Sequence, residues 1–185
     1  MTQLWLVRHG PTHARRMVGW TDLPADLSDS AALSRLERAL PQAPVVSSDL
    51  IRATATADAI QGARPRLPHD PALREFHYGA WEDRSFDEID SPELRRYFEA
   101  PGDHRAPGGE SWNDVAARVH GAVTRLAGPP DLIVVAHMGV ILTLWQRARG
   151  ISPYEALGHK IDNLSLTRID WQDGTLVPRT ANQHP

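Results

Sequence analysis

The 185-residue chain contains no cysteine. Disulfides, thiolate metal sites and mechanisms with a cysteine nucleophile are therefore excluded. It also lacks a long apolar run. The most hydrophobic stretch, Leu132 to Trp145, is broken by His137, Gly139 and Thr143 and falls short of the ~20 apolar residues needed to cross a bilayer. Met1 to Gly10 shows no basic segment followed by an apolar core and a cleavage site, so a cytoplasmic location with no membrane partner is expected. Charge is not concentrated in blocks. The 20 basic and 23 acidic residues give a net charge of −3, which argues against a nucleic-acid partner; an anion has to be held by a local cluster. No His-Glu-x-x-His pattern occurs. His9 and His13 are four residues apart, but Pro11 lies between them and Arg8 adjoins, so no metal site is expected.

What is present is the balance of an ordinary globular protein, 41% hydrophobic and 23% charged, of a length suited to one domain over residues 1–185. Three β-rich runs, Leu4 to Val7, Pro44 to Val46 and Leu132 to Ala136, show no polar alternation, as expected of strands buried on both faces. Helical spacing and stop signals predict helices over Leu27 to Leu40, over Leu50 to Ile60 after a Ser47-Ser48-Asp49 capping cluster, and from Ser111 to about Leu126. The run from Leu132 reads as a strand passing into a helix. Leu67 is expected to close a further short strand. Residues 70–110, rich in proline, glycine and aromatics, are expected to form a lid-like insertion with short helices near Phe86 to Ile89 and Pro92 to Phe98. Alternation in Leu164 to Ile169 and a Gln172-Asp173-Gly174 turn predict a terminal hairpin. Together these signals predict an α/β fold, a three-layer α/β/α sandwich around a mainly parallel sheet.

In such a sheet, ligands bind beyond the carboxyl ends of the strands. The first strand exits into Arg8-His9-Gly10, the second into Ser47-Ser48 with Arg52 shortly after, and the third into His137-Met138-Gly139. Two arginines and two histidines then meet at one rim, and their joint occurrence, rather than any one of them, carries the signal. Arg52, in the first turn of a predicted helix, faces the positive end of the helix dipole, a conflict that a bound anion removes. A proton donor is sought among the acids of Glu75-Phe76-His77-Tyr78-Gly79-Ala80-Trp81-Glu82, where aromatic neighbours desolvate carboxyl groups; Glu75 and Glu82 both qualify.

These segments resemble the histidine phosphatase superfamily, the phosphoglycerate-mutase-like fold. Leu6-Val7-Arg8-His9-Gly10-Pro11-Thr12 is similar to its signature, Ser47 to Ala53 to its second arginine segment, Glu75 to Gly79 to its acidic segment, Gly108 to Ser111 to its turn, and Val135 to Val140 to its second histidine segment. The resemblance implies that His9 accepts a phosphoryl group, that Arg8, Arg52 and His137 bind its oxygens with Thr12 nearby, and that Glu75 rather than Glu82 is the proton donor. It also implies that Trp20 and Thr21, in Gly19 to Pro24, touch the leaving group. Arg15 stands where the family commonly has asparagine, with Arg16 beside it; either these extra cations extend the pocket toward a more anionic substrate or that contact is lost.

The implied reaction is metal-independent hydrolysis of a small phosphorylated metabolite through phosphohistidine, with no cofactor. A mutase differs only in what captures the phosphoryl group, and a non-catalytic phospho-ligand binder would have no use for Glu75 or a nucleophilic imidazole. Sugar phosphates, a ribazole phosphate, phosphoglycerates and phosphoproteins all fit the sequence, as do a monomer and a homodimer.

Overall fold

Leu4-Trp5-Leu6-Val7 lacks polar alternation because both of its faces are covered. In the computed structural model, which describes residues 1–185, this run forms β1 (Thr2–Arg8) at the centre of a five-stranded sheet. The others are β2 (Val45–Ser47), β3 (Asp131–Ala136), β4 (Leu166–Gln172) and β5 (Thr175–Gln183), and the spatial order is β2-β3-β1-β4-β5. β1 and β2 both pair with β3 in parallel, whereas β4 pairs antiparallel with β1 and with β5. The sheet is thus mixed: the half that carries the strand-end residues is parallel, and the predicted hairpin extends it antiparallel.

Alternate residues of each strand enter two separate cores. Leu4, Leu6, Leu132, Val134 and Ala136 face the larger, which is filled by α4 (Trp112–Leu126) and α5 (Met138–Arg149). Val7, Val45, Ile133 and Val135 face the smaller, which is closed by α1 (Ser30–Ala39) and α2 (Ile51–Gln61). At ~25 cal/mol per Å² of buried apolar surface, covering both faces is what holds the central strands in place.

The helix ends follow local chemistry, with two differences from expectation. Asp29 caps α1, so that helix starts later than Leu27, and Ser111 with Asp114 forms the capping box of α4. At α2 the Ser47-Ser48-Asp49 cluster does not supply the cap. Asp49 is taken by Arg74, and the N–H of Ile51 instead donates to Asp22 Oδ1 at 2.7 Å, a cap delivered from a distant loop. A short helix not anticipated, α6 (Pro153–Leu157), starts at a Ser152/Glu155 capping box with proline in its first turn, a signal legible in Ser152-Pro153-Tyr154-Glu155.

Residues 70–110 contain 3-10 turns at Pro71–Leu73 and Gly79–Trp81 and the helix α3 (Pro92–Glu99). Phe86 to Ile89 is a hydrogen-bonded turn rather than a helix; Ser85 and Glu88 close on each other's backbone, and Ser91-Pro92 then begins α3. Leu67 belongs to no strand. Only an isolated bridge between Val45 and Arg66 forms, because Pro65 and Pro68 remove the donors a longer ladder needs.

Candidate active site

The parallel register brings three strand ends to one rim: Arg8 lies opposite Ala136 and Ser47 opposite Val135. The ladder continues one residue past the strands, with the His9 N–H on the Ala136 carbonyl at 3.0 Å and the Ser48 N–H on the Val135 carbonyl at 3.1 Å. His9 and His137 therefore sit side by side, with ring centroids 5.0 Å apart.

His9 is buried, and its Nδ1 lies 2.7 Å from the Gly10 carbonyl, a contact that places the proton on Nδ1 and leaves the Nε2 lone pair free. The Asn163 side chain donates to the His9 carbonyl at 2.8 Å, and the Thr56 hydroxyl accepts the Gly10 N–H at 3.0 Å, so this turn is held on both sides. Burial pushes the His9 pKa down to about 3; the Gly10 contact opposes this, and the nearby positive charges of Arg52 and Arg8 add to it. The imidazole is neutral at physiological pH.

Arg52 is almost fully buried, and it donates from Nη1 to the Thr21 carbonyl at 2.9 Å and from Nη2 to the Gly19 carbonyl at 2.5 Å. Arg8 donates from Nη1 to the Ile161 carbonyl at 2.6 Å, while its buried Nε has no partner. Burial lowers the pKa of both guanidinium groups and the Glu75 charge opposes it, which leaves two cations fixed by backbone carbonyls. His137 is fully buried with neither ring nitrogen hydrogen-bonded, and burial, then His9 and Arg52, hold its pKa well below the ordinary value. An unpaired buried polar group costs about 1–3 kcal/mol, which an anion accepting its N–H would recover.

The two candidate acids have separate surroundings. Glu75 is buried beside the histidines; Oε2 accepts the Gly139 N–H at 3.1 Å and Oε1 the Phe76 N–H at 3.0 Å. Gly139 has to be glycine, because a methyl group there would run into the Glu75 carboxylate and the Phe76 ring. Glu82 is instead the hub of the Gly19–Thr21 loop, accepting the N–H groups of Gly19, Trp20, Thr21 and Tyr78 and, at 2.6 Å, the Thr21 hydroxyl. Burial raises its pKa, but these hydrogen bonds outweigh it and the net shift is downward, so Glu82 is a fixed carboxylate.

A cavity of about 240 Å³ opens over His9, walled in part by Arg8, Thr12, Arg52 and Glu75. Trp20, Thr21 and Arg15 are not in its wall. The Trp20 indole N–H is spent on the Glu75 carbonyl at 2.9 Å and the Thr21 hydroxyl on Glu82, while Arg15 is exposed. Its neighbour Arg16 lines the cavity instead.

Two supporting residues escaped the sequence reading. Arg118 donates to the carbonyls of Ala72, Arg74 and Glu75 and forms a two-pronged pair with Glu110, whose Oε2 accepts the His77 N–H. Asn163 reaches His9 across 154 positions of sequence, so no local pattern announces it. No cluster of three or more His, Asp or Glu side chains is arranged to hold a metal ion. No helix is long and apolar enough to cross a membrane.

The sequence matches the family described as "Histidine phosphatase superfamily (branch 1)" over residues 4–184. It is 33% identical to the "Probable phosphoglycerate mutase GpmB" of Cronobacter sakazakii, an alignment covering 93% of this chain and 86% of that protein. YhfR of Bacillus stearothermophilus superposes with a TM-score of 0.86 at 28% identity, covering 96% of this chain and 95% of that one. The α-ribazole phosphatase of Shigella flexneri, at 23% identity, shares the fold with a TM-score of 0.81 over 98% of this chain and 96% of that one.

Proposed function

This chain belongs to the histidine phosphatase superfamily, and from that premise we propose that it is a phosphomonoesterase working through a phosphohistidine on His9. The observation that carries this reading is the state of His9: buried, neutral, its Nδ1 anchored on the Gly10 carbonyl and its Nε2 lone pair free between two arginines and a second imidazole.

A phosphate monoester bears about −1.5 to −2 charge at neutral pH, and Arg8 and Arg52 are positioned to share it. His9 Nε2 attacks phosphorus as the ester P–O bond breaks. Arg8 Nε and the His137 ring supply donors to the equatorial oxygens, where charge spreads in the transition state. Each oxygen of Glu75 spends one lone pair on a backbone N–H and keeps another for a proton, so the acid form protonates the leaving oxygen. The resulting carboxylate then removes a proton from the water that attacks phosphohistidine, which restores both groups. No metal is required by any step.

The mutase reading is favoured by the name of the curated relative, and it differs only in passing the phosphoryl group to a second hydroxyl instead of water. Hydrolysis is preferred because the cavity wall includes Phe86 and Met138, 55% and 36% exposed, which leaves the site open to solvent. The test is phosphate release from para-nitrophenyl phosphate and phosphoglycerates in EDTA, with isomerised product monitored in parallel. Release in EDTA, an acid-labile phosphoenzyme and a loss of at least ~10³-fold in His9→Ala are expected. Isomerisation without release would make the protein a mutase, and turnover unaffected in His9→Ala would remove the mechanism.

A further inference from the structure

Arg52 is only 1% exposed, and a cation buried to that degree needs a compensating charge. Its terminal nitrogens donate to the Gly19 and Thr21 carbonyls rather than to a carboxylate, so compensation reaches it by another route. Burial lowers its pKa, and the charges of Glu75, Asp22 and Glu82 oppose that. Glu82 is joined to Arg52 through a single peptide unit. The Trp20 N–H donates to Glu82 Oε1 at 2.7 Å, and the carbonyl of the same Gly19-Trp20 peptide accepts Arg52 Nη2 at 2.5 Å. The N–H and C=O of a trans peptide point in opposite directions, so one rigid plane stands between the carboxylate and the guanidinium.

The rest of the loop is drawn to the same carboxylate. The Gly19 and Thr21 N–H groups donate to Glu82 Oε2, each at 3.1 Å, and the Thr21 hydroxyl does so at 2.6 Å. Successive backbone N–H groups of this kind form anion-binding concavities, and here a side chain of the protein itself fills one. Gly19 leaves no room for a Cβ, which would strike the Phe76 carbonyl and Glu82 Oε1. Arg52 lines the cavity over His9 and Glu82 does not. A carboxylate paired directly with Arg52 would compete for the N–H groups that a phosphoryl oxygen needs; an intervening peptide fixes the guanidinium and leaves it open to the cavity.

We propose that Glu82 is the positioning residue of Arg52, acting through the Gly19-Trp20 peptide that its carboxylate holds. The proposal rests on the phosphatase reading above and adds to it a second carboxylate that never touches substrate. Glu82→Gln is the direct test, because an amide nitrogen cannot accept and either orientation of the amide turns at least two N–H donors toward a donor. The Trp20 indole also holds the Glu75 carbonyl, so turnover alone would mix two effects. Affinity for inorganic phosphate, read by 31P NMR titration, isolates Arg52. Glu82→Gln is expected to weaken phosphate binding about tenfold in the presence of Arg52 and less than about twofold in an Arg52→Gln background. A merely structural defect would weaken binding equally in both backgrounds. Thr21→Val, which removes one donor and keeps the backbone, is expected to weaken phosphate about threefold with the same dependence on Arg52, and it carries the test if Glu82→Gln fails to fold. Additive effects, no effect of either variant, or no phosphate binding by wild type would overturn the proposal. Coupled effects on phosphate affinity in a protein that hydrolyses no ester would keep the positioning role and overturn the phosphatase reading.

Discussion

His9 shows how a single side chain couples stability to function. Its folded pKa of about 3 lies below the ~6.5 of an unfolded chain, so the unfolded state takes up the proton first as pH falls. The stability it contributes is complete above about pH 6.5 and is lost as pH drops toward its folded value. Between about pH 7 and pH 5, wild type should lose about 2 kcal/mol more stability than His9→Gln, measured by urea unfolding at each pH. Equal losses would show that the imidazole is not held neutral by its surroundings. The same depression implies that His9 contributes no acid limb near pH 6.5 to kcat/KM of the free enzyme. At Gly139 the constraint is steric. Gly139→Ala would push the Glu75 carboxylate out of place, and a displacement of ~1 Å in a reacting group costs about 10²-fold in kcat. Phosphohistidine formed from an activated ester such as para-nitrophenyl phosphate, which needs little protonation of its leaving group, should suffer less. A variant equally impaired on activated and unactivated esters would dissociate Glu75 from the acid role.

At the scale of elements, β1, β2 and β3 bring the histidines and arginines together, whereas the acid segment is positioned from outside the sheet. Arg118, projecting from α4, gathers three backbone carbonyls of residues 72–75 and pairs with Glu110, with each charged side chain about one-fifth exposed. A lysine cannot span this fan of acceptors. Arg118→Lys should cost about 3 kcal/mol in stability and, on the proposed mechanism, lower kcat more than it changes KM, because the segment carrying Glu75 drifts while Arg8, Arg52 and His137 stay in place. A rise in KM alone would assign Arg118 to substrate binding instead. The loop holding Gly19 to Asp22 is bound to α2 by two interactions: Asp22 caps the helix and Arg52 holds the Gly19 and Thr21 carbonyls. Asp22→Ala should remove about 1 kcal/mol from thermal stability. No change in Tm would show that water replaces the cap at no cost.

Across the whole molecule, the site exists only where the sheet, both helical layers and residues 70–110 meet. Tryptophans are distributed through these parts: Trp5 lies on the sheet, Trp81 in the inserted segment, Trp112 and Trp145 in the helices of the larger core. Loss of activity in urea should therefore coincide with the change in tryptophan fluorescence, as one transition. Activity lost at lower urea than fluorescence would reveal residues 70–110 opening on their own.

The strands, the helices and the strand-end residues Arg8, His9, Arg52 and His137 were legible in the sequence because each rests on local information: hydrophobic period, capping chemistry, and the rule that a parallel sheet binds ligands at its carboxyl edge. Residue type alone could not separate Glu75 from Glu82. Burial beside the histidines distinguishes one, and five hydrogen bonds to the Gly19–Thr21 loop and Tyr78 occupy the other. Nor could it place Trp20 and Thr21 away from the cavity, choose Arg16 over its neighbour Arg15 for the cavity wall, or announce Asn163 and Arg118. These depend on contacts between residues far apart in the chain, and on which direction a loop side chain takes. Sequence patterning determined which elements form and where their ends gather; only tertiary packing decided which of several chemically equivalent side chains face the cavity over His9, because burial and hydrogen-bond geometry belong to the assembled fold.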